Sequence, residues 1–354
     1  MARERGAPPR AVIFGVAGAE LTDSERRFLA EWDPLGLILF ARNCAAPDAV
    51  RALVDDFRAA VGRADAPVLI DQEGGRVARL KPPHWRSAPA PAVFARFAAA
   101  DVARACEACT LNARLVAAEL AALGITVDTL PILDIPQPGA DPVIGDRAAG
   151  DTPELAARLG RSTCEGLLAE GVLPVIKHIP GHGRAAVDSH RALPIVDASR
   201  DELERVDFAP FRRLADMPWA MTAHVVYTAI DCEAPATTSR TVIGDIIRGA
   251  IGFDGLLLSD DLCMAALAGP PAARAEAAVA AGCDVVLHCN GDLDEMHAVA
   301  AVAPLLSDAA LTRLARGERA RLECRDKRPA DSVAARLEAL MQGQPVAWKR
   351  GSNA

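Results

Sequence analysis

Short runs of β-branched and other apolar residues recur along the chain at 11–16, 36–40, 67–70, 125–135, 172–176, 219–226, 255–258 and 283–287. Between most of them lie alanine- and leucine-rich stretches with helical spacing, at 46–61, 102–123, 153–170, 200–215, 241–250 and 271–281. This alternation predicts a parallel sheet, because returning from the end of one strand to the start of the next takes a crossover long enough to hold a helix. The runs are continuously apolar, as strands covered on both faces are. Eight such units favour an α/β fold in one domain, a (β/α)8 TIM barrel with an irregular first strand, over an open doubly wound sheet. The barrel is expected to span residues 1–325. Residues 326–354 then supply a C-terminal helix at 331–341 and a mobile tail, and no linker or internal repeat marks a second folded domain.

Composition narrows the function classes. With 51% hydrophobic residues but only 4% aromatic ones, the chain can bury a large aliphatic core. A net charge of −8 without a long basic run argues against nucleic acid or an anionic membrane as partner and points to a small-molecule ligand. The first residues carry charges but no apolar signal core, and no run of 18 apolar residues occurs, so a cytoplasmic location is expected. Nine cysteines are scattered through apolar surroundings and read as buried thiols; Cys106 and Cys109 form a lone pair at CxxC spacing inside a helical pattern.

Polar residues follow the apolar part of strand after strand: Arg42 and Asn43, Asp71 to Glu73, Asp134, Lys177 and His178, His224, Asp260 and Asp261, Cys289 and Asn290. A barrel gathers the C-terminal ends of its strands at one mouth, where the active sites of such folds lie. The densest stretch runs from Lys177 to His190, with three histidines, a lysine and an aspartate in a segment broken by Pro180, Gly181 and Gly183. Asp188 and His190 are two apart, so in extended chain both side chains share one side and the carboxylate can orient the imidazole. The small residues between Pro180 and Asp188 predict few anchors and a loop that moves. Asp260 and Asp261 are adjacent on the seventh strand, and alternation lets only one of them face a pocket. A carboxylate paired with an acid or base on another loop suits glycoside cleavage, with His190 as the best partner. Asp71 to Arg79, around the Gly74-Gly75 pair, suits gripping hydroxyls, and Arg147 can fork onto a carbonyl or carboxylate.

In order, the stretches Asp71-Gln72-Glu73-Gly74-Gly75-Arg76-Val77, Pro142 to Arg147, Lys177 to Gly183, Asp188-Ser189-His190, Met221 to His224, Pro235 to Thr237, Ser259 to Met264 and Ala281 to Asn290 resemble the β-N-acetylhexosaminidases of glycoside hydrolase family 3. The likeness covers about residues 10–320 and is closest to the single-domain cytoplasmic enzymes of bacterial cell-wall recycling. It implies a retaining exo-β-N-acetylglucosaminidase that removes terminal N-acetylglucosamine from anhydro-muropeptides, a role touching cell shape and division. It makes Asp260 the nucleophile, His190 with Asp188 the acid/base dyad, and Asp71, Arg79, Arg147, Lys177 and His178 the residues that hold the sugar. It implies no cofactor, no metal, no nucleic acid or membrane partner, and a monomer. The chain departs from the family at Ala149, where a bulkier residue is common, and at Cys263, which replaces a common serine.

Other readings within the enzyme class are a β-glucosidase or a glycoside phosphorylase, since a neutral histidine repels phosphate less than a carboxylate would. A metal-dependent hydrolase could use His178, His182 and His190 with an aspartate as zinc ligands, although Pro180 and Gly181 keep His178 and His182 off a helix face. A catalytically dead sugar-binding protein would have no need of nucleophile and dyad together.

Overall fold

In the computed structural model, which describes residues 7–323 and 330–342, the eight apolar runs become β1 (Arg10–Phe14), β2 (Pro34–Leu39), β3 (Val68–Ile70), β4 (Val127–Asp128), β5 (Leu173–Ile179), β6 (Trp219–Thr222), β7 (Leu256–Asp261) and β8 (Val285–His288). All are parallel; each pairs with its sequence neighbour, and β8 returns to β1, so the sheet closes into a barrel. Ile13, Leu69, Val127, Val175, Met221, Leu258 and Leu287 fill the interior, while the intervening Val12, Phe14, Ile70, Ile176, Leu257 and Val286 pack outward beneath the helices. Both faces of most strands are therefore apolar, β4 with Asp128 being an exception, and burying each such apolar side chain stabilises the fold by about 1.5–3 kcal/mol.

Helices Pro47–Val61, Pro153–Ala169 and Pro271–Ala281 each open on proline, whose missing N–H and fixed φ suit a first helical turn. The stretch expected as one helix over 200–215 is broken into Arg200–Glu202, a wider turn over Leu203–Asp207, and Ala209–Arg213 with Pro210 in its first turn. Helix Ala330–Met341 lays Val333, Leu337 and Leu340 against Phe94, Phe97 and Ala108, making it part of the outer layer. The expected tail over 343–354 and the boundary between 325 and 326 lie outside the described residues. Among the described residues, no helix is long and apolar enough to cross a membrane.

β1 pairs on both sides, and its expected irregularity is one register shift against β2 between Arg10 and Ile13. The run 125–135 pairs as β4 only at Val127 and Asp128, because Pro131 has no N–H to give a ladder; the chain then continues beside β5, with Lys177 donating to the Pro131 carbonyl and Leu133 to that of Lys177.

Candidate active site

A cavity of about 300 Å3 opens at the C-terminal ends of the strands, and all eight singled-out residues line it: Asp71, Arg79, Arg147, Lys177, His178, Asp188, His190 and Asp260. Glu73, Arg76, His182, Ser189 and Asp261 add to its polar wall, and Phe40 and Met264 are among its apolar members.

One side of the wall is a continuous ion-paired cluster. Lys177 Nζ lies 2.8 Å from Glu73 Oε1, 3.2 Å from Asp71 Oδ1 and 2.8 Å from Thr129 Oγ1. Arg147 forks onto Glu73 at 2.8 and 2.9 Å, and Arg79 reaches Asp71 at 2.8 Å. Burial alone would push the carboxyls up, but Lys177 and its arginine neighbours outweigh it, so Asp71 and Glu73 are held below the usual carboxylate range. Burial likewise opposes the Lys177 charge, and Glu73 and Asp71 outweigh it in turn, raising the lysine. The loop after β3 holds its shape because the Gln72 amide accepts from the amides of Arg79 and Leu80 and donates to the Leu80 carbonyl. Gly74 makes this turn possible: its φ is +94°, and a Cβ there would stand 2.2 Å from the Pro89 carbonyl oxygen.

At the end of β5 the register shifts between Lys177 and Ile179, and both Lys177 and His178 face the cavity. The buried Asp134 carboxylate accepts from His178 Nδ1–H at 2.7 Å and from the backbone amides of His178 and His182 at 3.2 and 2.6 Å. This fixes the His178 tautomer and leaves Nε2 as the nitrogen available to a ligand. His182 is pushed down to about 4 by burial and by His178, and its Nε2 meets Ser189 Oγ at 3.1 Å.

Asp260 and Asp261 both border the cavity, and as expected for adjacent strand residues one of the two carboxylates is taken by backbone. The β7–β8 register shifts over this segment. Their carboxylates are distinct. Asp261 Oδ1 is taken up by the backbone amides of Cys263 and Cys289, at 3.0 and 3.2 Å, whereas among the described residues Asp260 accepts just the Asp261 amide, at 2.8 Å. Burial pushes Asp260 up, but His178, then His224, outweighs it, and the carboxyl sits below its ordinary range.

Across the cavity His190 Nδ1–H donates to Asp188 Oδ1 at 2.8 Å, and the Asp188 carboxylate also accepts the His190 amide at 2.9 Å. The His190 side chain is 66% exposed. The loop leading to it is not the sparsely anchored segment its small residues suggested. Tyr227 Oη donates to the Gly181 carbonyl, Arg184 pairs with the buried Asp207, and the Gly183 and Ala185 carbonyls accept from the amides of Gln137 and Asp141. Gly183 is there for close approach: a Cβ would meet the Ile135 carbonyl oxygen at 2.0 Å. The loop is fastened as far as Ala185; Ala186 and Val187 are exposed, and Ser189 is buried again, its Oγ on His182 and its carbonyl accepting the Ala266 amide.

The three histidines considered as zinc ligands are engaged separately, with Asp134, Ser189 and Asp188. Of the other strand-end residues, Arg42 and Asn43 tie down the chain at Val16 and Gly18, while His224 holds the Asp261 carbonyl and Thr237. Cys109 packs against Thr163 rather than acting with Cys106.

Residues 13–316 match the family model described as the glycosyl hydrolase family 3 N terminal domain. The chain belongs to glycosyl hydrolase family 3. A Beta-hexosaminidase of Alkalilimnicola ehrlichii is 44% identical over 283 residues, 79% of this chain and 80% of that one. The Beta-hexosaminidase of Pseudomonas aeruginosa is 39% identical over 297 residues, 83% of this chain and 86% of that one. The crystal structure of NagZ from Neisseria gonorrhoeae in complex with N-trifluoroacetyl-D-glucosamine superposes with a TM-score of 0.84 at 32% identity, covering 94% of this chain and 98% of that one. This family 3 chain is thus a glycoside hydrolase of the β-N-acetylhexosaminidase kind.

Three members of the family 3 site were not singled out from sequence. Glu73 joins Lys177 to Arg147, Asp134 orients His178, and Ser189 ties the dyad loop to His182. Each sits inside or beside a stretch already marked by its charges, but only the fold shows which partner it meets. Ala149, where a bulkier residue is common, lies outside the main cavity, in an apolar cluster with Phe94 and Leu159 beside a small internal void.

Proposed function

We propose that this enzyme is a retaining exo-β-N-acetylglucosaminidase that removes terminal N-acetylglucosamine from peptidoglycan fragments, the anhydro-muropeptides, in the cytoplasm, as a monomer whose reaction uses no metal or cofactor. The observation that carries the reading is the pairing within one cavity of a partly buried carboxylate bonded to no cation among the described residues, Asp260, with an exposed carboxylate-oriented imidazole, His190. In the first step Asp260 bonds to the anomeric carbon as the glycosidic bond breaks, and His190 passes its Nε2 proton to the departing oxygen. In the second, water attacks the glycosyl-aspartate and gives its proton back to His190, freeing Asp260. Asp188 keeps Nδ1 protonated throughout, so Nε2 is the nitrogen that exchanges. Asp71, Arg79, Arg147, Lys177 and His178 hold the sugar and its N-acetyl group in register.

Support comes from the N-acetylglucosamine analogue named with the gonococcal structure and from the exposure of His190, which leaves space for a bulky leaving group at the rim. The test is hydrolysis of a chromogenic N-acetylglucosaminide against the matching glucoside, with and without phosphate, followed by assay on an anhydro-muropeptide. Release of N-acetylglucosamine with retained configuration, unaffected by phosphate, is expected. Faster turnover of the glucoside, or a sugar phosphate as main product, contradicts the reading.

A further inference from the structure

Behind the cavity wall, Cys263, His288 and Glu295 bring one sulfur, one ring nitrogen and one carboxylate oxygen to within 4.8 Å of one another. Cys263 lies just past β7, His288 ends β8 and Glu295 is in the first turn of helix Leu293–Val302, so the cluster joins three consecutive segments of the barrel rim. None of the three lines the sugar cavity. We propose that they form a binding site for a zinc-type divalent transition-metal ion, separate from the catalytic centre.

The donor set selects the class of ion. One thiolate, one imidazole and one carboxylate suit a borderline-soft cation in tetrahedral coordination, with water as fourth ligand, and do not suit magnesium or calcium, which take oxygen donors. Two anionic ligands neutralise a divalent charge, and the thiol proton passes to solvent as sulfur binds. His288 is fully buried, and its Nε2 already points at Glu295 Oε2 at 3.0 Å. Its Nδ1 is buried without a hydrogen-bond partner among the described residues. No donor therefore obliges Nδ1 to stay bare, and the ring proton can sit there while Nε2 takes an ion. Asn290 donates to the same Glu295 oxygen at 2.6 Å and holds the carboxylate beside the ring. Glu295 and Cys263 are partly exposed, which provides the entry path. The site has a structural consequence too: the amides of Cys263 and Cys289 hold the Asp261 carboxylate, so an ion here braces the two loops that fix the residue next to Asp260.

The test uses the full-length protein stripped with chelator. Zinc uptake is measured by equilibrium dialysis, and cobalt(II) is titrated in while thiolate-to-metal charge-transfer absorption is followed. The wild type is expected to bind one ion with the thiolate band, and the melting temperature should rise with the ion. Cys263→Ser should abolish the band, and Glu295→Gln should weaken uptake more than about tenfold. Cys289→Ser and His190→Ala should keep both band and uptake. Both partly exposed ligands can be changed without opening the core, and circular dichroism verifies that each variant is folded. No thiolate band at saturating cobalt, or a band and zinc uptake unchanged in Cys263→Ser, overturns the proposal; zinc held equally by Cys263→Ser but lost in His190→Ala places the ion at the dyad instead.

Discussion

On one wall of the cavity Glu73 has no exposed side-chain surface and Lys177 has 3%; on the other, the His190 imidazole is 66% exposed and its partner Asp188 21%. The first wall stands at the ends of β3 and β5, where every charge is held by at least one opposite charge. The second stands on a loop whose exposed pair is tied down between its two members by the buried Ser189. A buried pair broken on one side leaves an uncompensated charge, at a cost of about 3–5 kcal/mol, whereas an exposed pair contributes about 0–1 kcal/mol. The ion-paired wall, proposed to hold the sugar, is therefore preformed and bound up with stability, whereas the exposed Asp188–His190 pair, proposed as the acid/base dyad, contributes little to the fold. Catalytic groups with little structural role should show large activity losses and small stability losses; the holding groups should show both.

Asp260→Ala gives the sharpest separation. Its carboxylate accepts a single amide, so melting should change little while turnover falls about 10^4-fold or more, read by steady-state hydrolysis of an N-acetylglucosaminide. His190→Ala should cost about 10^2- to 10^4-fold on a disaccharide, whose departing oxygen is strongly basic, and far less on an activated aryl glycoside. Equal losses on the two would remove His190 from the acid role. Glu73→Gln should reverse the pattern of these two: about 3–5 kcal/mol lost in denaturant unfolding, with substrate affinity falling as Lys177 and Arg147 lose their shared partner. Asp188→Asn should lower activity on poor leaving groups less than His190→Ala does and leave unfolding within about 1 kcal/mol of the wild type. A comparable stability loss in Asp188→Asn and Glu73→Gln would break the contrast between the walls.

Below the paired wall, Asp128 sharpens the same comparison. Its Oδ1 accepts the Gln72 amide at 3.0 Å, but Oδ2 has no hydrogen-bond partner among the described residues, and burial pushes the carboxyl up to about 7. An acid whose folded value is raised binds its proton in the folded state over a window where the unfolded chain has lost it. Its contribution is thus present at low pH and declines as pH rises from about 4 to 7. Asp128→Asn removes that decline, so the stability of the variant relative to wild type should climb across the window, by about 4 kcal/mol at most. A flat difference would show that Asp128 is ionised and compensated like its neighbours.

Much of this was legible in the order of residues because the barrel writes itself as repetition: eight continuously apolar runs, each with polar residues at its end, specify both the sheet and the mouth. All eight singled-out residues reach one cavity. What could not be read were the local departures from period. The register shifts at Lys177 and around Asp260 and Asp261 bring neighbours to the border of one cavity, and backbone amides tell the two aspartates apart. Glycine was misread for the same reason. In the loop before His190 it suggested freedom, yet Gly183 permits a backbone contact that any side chain would block. Glu73 shows the remaining gap, since a charge pattern marks the segment but not which distant cations fold onto it.

The central claim, that Asp260 is the carboxylate that bonds to sugar, is tested most directly by trapping. A fluorinated N-acetylglucosamine analogue that forms the glycosyl-enzyme quickly and releases it slowly should add one sugar per chain, and peptide mass mapping should place it on Asp260 and not on Asp261. A label on Asp261, or an Asp260→Ala enzyme that still turns over and is still labelled, would contradict the account.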